Sequence, residues 1–153
     1  MFTLLFVCTG NTCRSPMAQV IAEAILAEMG QGERIRVASA GVSAWPGAPA
    51  STQARNVMAG RGLDLETHGA TPLNERLIGE ADMVLTMTGS HRDRVVQMAP
   101  EAAAKVFTLK GYAGGSGDIA DPFGLDERAY ETNAIEIEGA LRKALERIVT
   151  TIV

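Results

Sequence analysis

The 153-residue chain has few cysteines, few aromatic residues and no long hydrophobic run. Its two cysteines, Cys8 and Cys13, lie in one short stretch, whereas disulfide-stapled secreted scaffolds spread their cysteines along the chain. No apolar run approaches the ~20 residues of a membrane-spanning helix, and residues 1–7 lack the basic start and the apolar length of an export signal. We therefore expect a cytoplasmic protein with no membrane partner.

The chain also lacks an excess of positive charge and a cluster of metal-ligating residues. The formal net charge is −4, whereas binding to nucleic acid backbones needs a basic face, so we expect no nucleic acid partner. No group of His, Cys and Asp residues has the spacing of a metal site, and we expect no metal and no cofactor. The single tryptophan, Trp45, either walls a substrate pocket or pins its own loop.

Strand-like and helix-like segments alternate along the chain. This alternation predicts a single α/β domain over residues 1–153, with a four-stranded parallel sheet and helices on both faces. The predicted strands are residues 3–7, 35–39, 83–87 and 105–109. The predicted helices are residues 16–29, 51–59, 74–78 and 90–98, followed by a last helix that Asp126 caps.

The stretch between the first strand and the first helix reads Val-Cys-Thr-Gly-Asn-Thr-Cys-Arg-Ser-Pro, residues 7–16. Ser15 and Pro16 are typical of the N-cap and N1 positions of a helix. A tight loop between strand and helix aims backbone N–H groups at one point, where the helix N-terminus adds positive potential. Gly10 and Asn11 are best able to take the positive φ that such a loop needs. The loop is therefore predicted to bind phosphate or another oxyanion.

Two side chains of this loop carry chemistry. Cys8 lies at its base, where N–H dipoles and a guanidinium should lower the thiol pKa well below its usual value of about 8.5 and make it a nucleophile. Arg14 offers a two-pronged contact to phosphate oxygens. A sulfur below phosphorus with donors around it suits in-line displacement. The alternative is an inert buried cysteine beside a surface arginine.

A second motif, Asp121-Pro122-Phe123-Gly124, follows a glycine-rich segment. Displacement by a thiolate needs an acid for the departing atom, and a carboxyl on a mobile loop could reach the site. Pro122 keeps Asp121 extended, with its side chain pointing outward. The alternatives are a plain Asp-Pro turn, or Asp118 as the acid.

These residues resemble the low-molecular-weight protein-tyrosine-phosphatase family, whose loop reads Cys-x-Gly-Asn-x-Cys-Arg-Ser-Pro, and the likeness covers nearly the whole chain. The resemblance implies a flavodoxin-like strand order 2-1-3-4, a phosphocysteine on Cys8 and Asp121 as the general acid. The residues expected to bind phosphate or substrate are Thr9, Gly10, Asn11, Thr12, Cys13, Arg14, Ser15 and Phe123.

The resemblance also implies supporting roles. The Ser15 hydroxyl should stabilise the thiolate, Asn11 should hold the loop shape, and His68 and Ser39 should support the loop. Cys13 should form a disulfide with Cys8 under oxidation, the alternative being a small residue that faces the core. His91, in a polar helix start, is predicted to be solvated.

Two positions bear on the substrate. Thr12 replaces the bulky aliphatic residue usual in the tyrosine enzymes, and Phe123-Gly124 replaces an aromatic pair. Both resemble the bacterial protein-arginine-phosphatase branch, so we predict a monomeric phosphatase acting on phosphoarginine in proteins. Alternatives are a tyrosine phosphatase, an arsenate reductase, against which the lack of any cysteine after Cys13 counts, and a non-enzymatic phospho-residue binding module.

Overall fold

Four parallel strands form the centre of the computed structural model, which describes residues 1–152. They are β1 (Phe2–Cys8), β2 (Ile35–Gly41), β3 (Met83–Thr86) and β4 (Val106–Thr108). Their order in the sheet is β2-β1-β3-β4, which confirms the predicted order 2-1-3-4. Val7 pairs with Ala40 of β2 on one side and with Thr86 of β3 on the other.

Helices cover both faces of this sheet, as predicted. They are α1 (Arg14–Glu28), α2 (Thr52–Gly60), α3 (Glu75–Glu80), α4 (Gly89–Met98), a 3₁₀ helix (Pro100–Lys105), α5 (Leu109–Tyr112) and α6 (Glu127–Ile152). Helices α1, α2, α5 and α6 pack on one face, and α3 and α4 pack on the other. Among residues 1–152, no helix combines the length and apolar character needed to cross a bilayer.

Strand β1 supplies both layers of the core. Because successive side chains of a strand point to opposite faces, Leu4, Phe6 and Cys8 join the layer under α1 and α6, whereas Leu5 and Val7 join the layer under α3 and α4. Burial of each large side chain contributes roughly 1.5–3 kcal/mol. This alternation sends the Cys8 side chain toward α1, at the carboxyl end of the central strand.

The start of α1 differs from the prediction. The helix begins at Arg14 with Cys13 at the N-cap and no side-chain capping bond, so Ser15 and Pro16 lie at N2 and N3. The first helical bond runs from Met17 N to Cys13 O. Pro16 is tolerated there because an N–H in the first turn has no intrahelical acceptor. The Ser15 hydroxyl is engaged elsewhere, so the Ser15 N-cap prediction is wrong.

Other helix ends follow their local signals. Ser51 accepts a bond from Ala54 N, Asn74 from Leu77 N and Asp126 from Ala129 N, the pattern expected of N-cap side chains. Strand β4 is shorter than predicted, because Thr108 ends it by accepting a bond from Gly111 N. The short α5 and the 3₁₀ helix were not predicted.

Candidate active site

A cavity of ≈ 220 Å³ opens beyond the carboxyl end of β1. The chain continues to β2 on one side of β1 and to β3 on the other. Open α/β sheets bind ligands at such a switch point in strand order. The cavity is lined by Cys8, Thr9, Gly10, Thr12, Cys13, Arg14, Asp121 and Phe123. The fold thus brings the loop after β1 (residues 8–15, the Cys8 loop) and the Asp-Pro motif to one place. The remaining predicted site residues, Asn11 and Ser15, are fully buried beneath it.

Asn11 shapes the Cys8 loop. It has a φ of 56°, and among residues 1–152 it is the non-glycine residue with positive φ. Its side-chain Nδ2 donates to Ser15 Oγ at 2.8 Å and to Ser39 Oγ at 3.0 Å, and its Oδ1 accepts from Thr71 N at 2.9 Å. Gly10 does not take positive φ, so the prediction of positive φ is confirmed for Asn11 and wrong for Gly10. Asn11 takes the left-handed conformation because three partners, of which Ser15 and Ser39 are buried, hold its side chain.

Supporting residues contact the loop through Asn11. His68 Nε2 lies 2.7 Å from the Asn11 carbonyl oxygen, and Ser39 Oγ donates to Gln19 Oε1 at 2.7 Å. At the end of β2, a Cβ on Gly41 would lie 2.5 Å from Thr9 O, so only glycine lets the loop backbone approach this closely. The family resemblance indicated His68 and Ser39, whereas Gln19 and Gly41 were missed, since only the folded sheet reveals their contacts.

A second and larger cavity, of ≈ 460 Å³, lies behind this network. Gln19, Ser39 and His68 line it, together with Glu23 and Arg36. Cys8, Arg14 and Asp121 do not reach it. The smaller cavity is therefore the candidate active site, because it alone of the two joins a nucleophile, a cation and a carboxyl.

Cys8 is buried at the floor of the candidate site. Its Sγ lies 2.8 Å from Ser15 Oγ. Burial is the largest influence and raises the pKa of the Cys8 thiol, whereas the Ser15 hydroxyl, the backbone N–H groups of Ser15 and Asn11, and the Arg14 guanidinium all lower this pKa. The net result is a raised pKa, so the predicted low value is wrong. Cys8 belongs to the packed core under α1, and desolvation of the charged sulfur there outweighs its donors.

Ser15→Ala tests the hydrogen bond to the sulfur. The Ser15 side chain heads the influences that lower the thiol pKa, so its loss should raise this pKa further and shift alkylation of Cys8 to higher pH. At neutral pH we expect alkylation by iodoacetamide to slow several-fold. The measurement is the alkylation rate across a pH series. Ser39→Ala is the matched control, because Ser39 bonds to Asn11 and not to Cys8. An unchanged pH profile in Ser15→Ala would show that the Ser15 hydroxyl does not lower the pKa of the Cys8 thiol.

Arg14 joins the Cys8 loop to the segment that carries Asp121. Its Nη1 donates to the Ile119 carbonyl oxygen at 2.9 Å, and its Nη2 lies 3.5 Å from Asp121 Oδ2. The guanidinium is buried, whereas the Asp121 side chain is 51% exposed. Asn133 holds the same segment by donating to Ala120 O at 2.7 Å. The carboxyl of Asp121 thus lies at the cavity mouth while its backbone is anchored.

Asp118 has a different environment from Asp121. Its Oδ1 accepts from Gly89 N at 2.9 Å, at the start of α4, and it does not line the cavity. Phe123 lies at the rim and is 72% exposed. Trp45 is 80% exposed and is absent from the cavity lining, so it forms neither a pocket wall nor a half-buried pin for its loop.

Cys13 lies beside Tyr130 of α6. Its Sγ is 3.2 Å from Tyr130 Oη and 3.7 Å from Ser51 Oγ. Burial and the bond to Cys13 raise the pKa of Tyr130 to about 12, so the phenol keeps its proton. Both cysteines are free thiols here, and their disulfide stays a prediction.

His91 corrects the prediction of a solvated side chain. It is buried at the third position of α4, with Nε2 2.8 Å from Thr9 Oγ1 and Nδ1 2.9 Å from Thr88 Oγ1. Burial, aided by the charge of Arg14, lowers its pKa to about 4 against the opposing charges of Asp118 and Asp121. Because α4 starts beside the carboxyl edge of the sheet, its first turn faces the Cys8 loop. The polar sequence of that turn concealed this contact.

Comparison with known proteins assigns the chain to a family. The model of the family described as low molecular weight phosphotyrosine protein phosphatase matches residues 3–151. The chain belongs to this family. It is therefore a cysteine-based protein phosphatase, a hydrolase that acts on phosphoproteins.

The relatives of this phosphatase are named after two different substrates. It is 42% identical over 150 residues to a protein-arginine-phosphatase of Geobacillus stearothermophilus, and the match covers 97% of each chain. It is 39% identical to a probable low molecular weight protein-tyrosine-phosphatase, EpsP, of Ralstonia nicotianae, over 84% of this chain and 83% of the other. A solved structure of a YwlE arginine phosphatase mutant, with a phosphorylated active site serine, has a TM-score of 0.92 and 37% identity, covering 96% of this chain and 95% of that one.

Proposed function

We propose that this phosphatase hydrolyses phosphoarginine in proteins. The observation that carries the proposal is Thr12, whose small polar side chain lines the cavity with Asp121. The guanidinium of phosphoarginine has N–H groups that need partners, and burying one against an aliphatic side chain costs about 1–3 kcal/mol. A threonine hydroxyl offers such a partner, and Asp121, once it has given up its proton, offers a carboxylate for the departing cation. The arginine phosphatase of Geobacillus stearothermophilus supports the same substrate.

The first half of the proposed reaction is attack by Cys8. Once its thiol has lost its proton to solvent, the sulfur attacks phosphorus from below and the bond from phosphorus to the substrate nitrogen breaks. Ser15, 2.8 Å from the sulfur, stabilises the thiolate. The backbone N–H groups of the Cys8 loop and the Arg14 guanidinium hold the phosphoryl oxygens, whose charge grows at the equator. The product is a phosphocysteine.

Asp121 serves both halves of the reaction. As general acid it gives a proton to the departing nitrogen, and its charge then pairs with the guanidinium that leaves. As general base it takes a proton from the water that attacks the phosphocysteine, which releases phosphate and restores Cys8. Its half-exposed carboxyl at the cavity mouth supports both roles, because substrate and solvent can each reach it.

Phosphotyrosine is the second candidate substrate. The relative in Ralstonia nicotianae, named as a probable tyrosine phosphatase, favours it. The exposed ring of Phe123 at the rim could stack on a phenol or on a guanidinium, so this residue does not discriminate between them. The choice between the two substrates therefore rests on Thr12.

A substrate swap tests the proposal. We expect the wild type to prefer a phosphoarginine peptide over a phosphotyrosine peptide of the same flanking sequence. Thr12→Ile should lower the ratio of the two kcat/KM values roughly tenfold or more, because it removes a hydrogen-bonding partner of the guanidinium. Thr12→Ser, which keeps the hydroxyl, is the matched control. A wild type that prefers phosphotyrosine, with no change in the ratio for Thr12→Ile, would refute the proposal.

Oxidation of Cys8 is a separate part of the proposal. We expect peroxide to link Cys8 to Cys13 and so to protect the nucleophile from irreversible oxidation. Peptide mapping of peroxide-treated protein measures this linkage. Sulfinic acid on Cys8 with no linkage to Cys13 would contradict it.

A further inference from the structure

A chain of hydrogen bonds runs from α4 to the rim of the active-site cavity. Thr88 Oγ1 accepts from His91 N at 3.2 Å and lies 2.9 Å from His91 Nδ1. His91 Nε2 lies 2.8 Å from Thr9 Oγ1. The imidazole is neutral near pH 7, because its pKa is lowered to about 4. One ring nitrogen therefore carries a proton and the other accepts one.

The direction of these bonds follows from the proton of Thr88. With Thr88 Oγ1 already accepting from His91 N, its own O–H needs an acceptor, and His91 Nδ1 is the acceptor within reach. His91 Nε2 then carries the ring proton and donates it to Thr9 Oγ1. Among the bonds of residues 1–152, each direction leaves one hydroxyl proton without a protein acceptor: that of Thr88 in the reverse direction, and that of Thr9 in this one. This direction is favoured because Thr9 is exposed and can give its proton to solvent, whereas Thr88 is half-buried.

Thr9 is consequently held with one lone pair occupied and one lone pair open. Its side chain is exposed at the cavity that Cys8, Thr12 and Asp121 also line. The open lone pair can accept an N–H from a bound group. A guanidinium offers N–H donors and no acceptors, whereas the ring of phosphotyrosine offers neither.

We propose that Thr9, oriented by His91, is a specificity-determining residue whose hydroxyl oxygen accepts a hydrogen bond from the guanidinium of phosphoarginine. This inference rests on the substrate proposed above and extends it to a second side chain of the Cys8 loop. His91 is a positioning residue, since it acts on the substrate only through Thr9.

The charge of the site agrees with this assignment. A neutral His91 adds no second positive charge next to Arg14, so the cavity can admit a cationic side chain beside Asp121. A phenol ring placed against Thr9 would strip water from the hydroxyl without replacing its bond. That loss penalises phosphotyrosine and not phosphoarginine.

The test compares kcat and KM on matched phosphoarginine and phosphotyrosine peptides. Thr9→Val, which keeps the shape and removes the hydroxyl, should lower the phosphoarginine-to-phosphotyrosine ratio of kcat/KM about tenfold. Thr9→Ser should restore the ratio to within about twofold of the wild type. The ratio cancels any effect of Thr9 on the phosphoryl group, which both substrates share.

His91→Leu tests the positioning role. We expect it to lower the same ratio as Thr9→Val does, and the double variant should show no further fall, because both changes remove one hydrogen bond. Should His91→Leu fail to fold, His91→Phe, which also lacks both ring nitrogens, takes its place. His91→Gln is the conservative control, because it keeps a side-chain N–H donor and should keep more of the ratio than the variant without one.

Failure of this inference can be distinguished from failure of the proposed substrate. If the wild type prefers phosphoarginine and Thr9→Val leaves the ratio unchanged, the inference is overturned and the proposed substrate stands. If the wild type itself shows no preference for phosphoarginine, the proposed substrate fails and the inference fails with it. Additive losses in the double variant would overturn the positioning role of His91.

Discussion

Cys8→Ser is expected to abolish turnover of every phosphorylated substrate, with a loss of roughly 10⁴–10⁶-fold in kcat, the scale on which a covalent enzyme loses activity with its nucleophile. A serine hydroxyl ionises far less readily than a thiol. The phosphoserine that it forms is also a stable ester, whereas phosphocysteine transfers its phosphoryl group readily to water. Both steps of the reaction therefore slow, and the second slows most.

Trapping the intermediate is the direct measurement. Cys8→Ser incubated with substrate should gain one phosphoryl group per chain at residue 8, read by mass spectrometry. A YwlE arginine phosphatase mutant with a phosphorylated active site serine provides a structural precedent. Cys13→Ser is the matched control, since it removes the other thiol and keeps the nucleophile, and it should retain measurable turnover. Turnover by Cys8→Ser close to that of the wild type would eliminate the proposed mechanism.

Asp121→Asn is expected to lower kcat about 10²–10⁴-fold on phosphoarginine, the usual contribution of a general acid. An amide cannot give a proton to the departing nitrogen, nor take one from water. Among residues 1–152, Asp121 supplies the one carboxyl of the cavity lining. The backbone of the segment should survive the change, because Ile119 and Ala120 are held by Arg14 and Asn133.

The leaving group separates acid catalysis from a structural loss. The effect of Asp121→Asn should shrink on an aryl phosphate whose phenol leaves without a proton, because the acid is then less needed. Asp118→Asn is the matched control. Its carboxylate caps the start of α4 through Gly89, so any loss should be small and should not depend on the leaving group. A loss for Asp121→Asn that is equal for all leaving groups would assign this residue a structural role.

Local signals account for what was predicted correctly. The alternation of buried strands and amphipathic helices is encoded in consecutive residues, and it was sufficient for the parallel sheet. The N-cap residues Ser51, Asn74 and Asp126 bond to backbone within three residues, so they too are visible in the chain. Ser15 has the same local pattern but a different role, because its hydroxyl bonds to Cys8 and Asn11 instead of capping α1.

Local sequence patterns did not predict the protonation and burial of the side chains at the site. The donors around Cys8 were visible in the sequence, and they do lower the thiol pKa. The packing of α1 over the strand end was not visible, and the desolvation that it causes is the larger effect. His91 was misjudged for a similar reason, because its polar neighbours in sequence are not its neighbours in space.

The amino-acid order by itself determined the parallel sheet and the place of the Cys8 loop at the end of its first strand, because each depends on neighbours along the chain or on the rule that ligands bind at strand ends. The family resemblance added the residues that line the cavity with that loop. Tertiary structure alone decided the contact between His91 and Thr9, the close approach of Gly41 to the loop and the balance of effects on the Cys8 thiol. These depend on distances between segments far apart in sequence, and those distances exist only after the sheet and helices have packed.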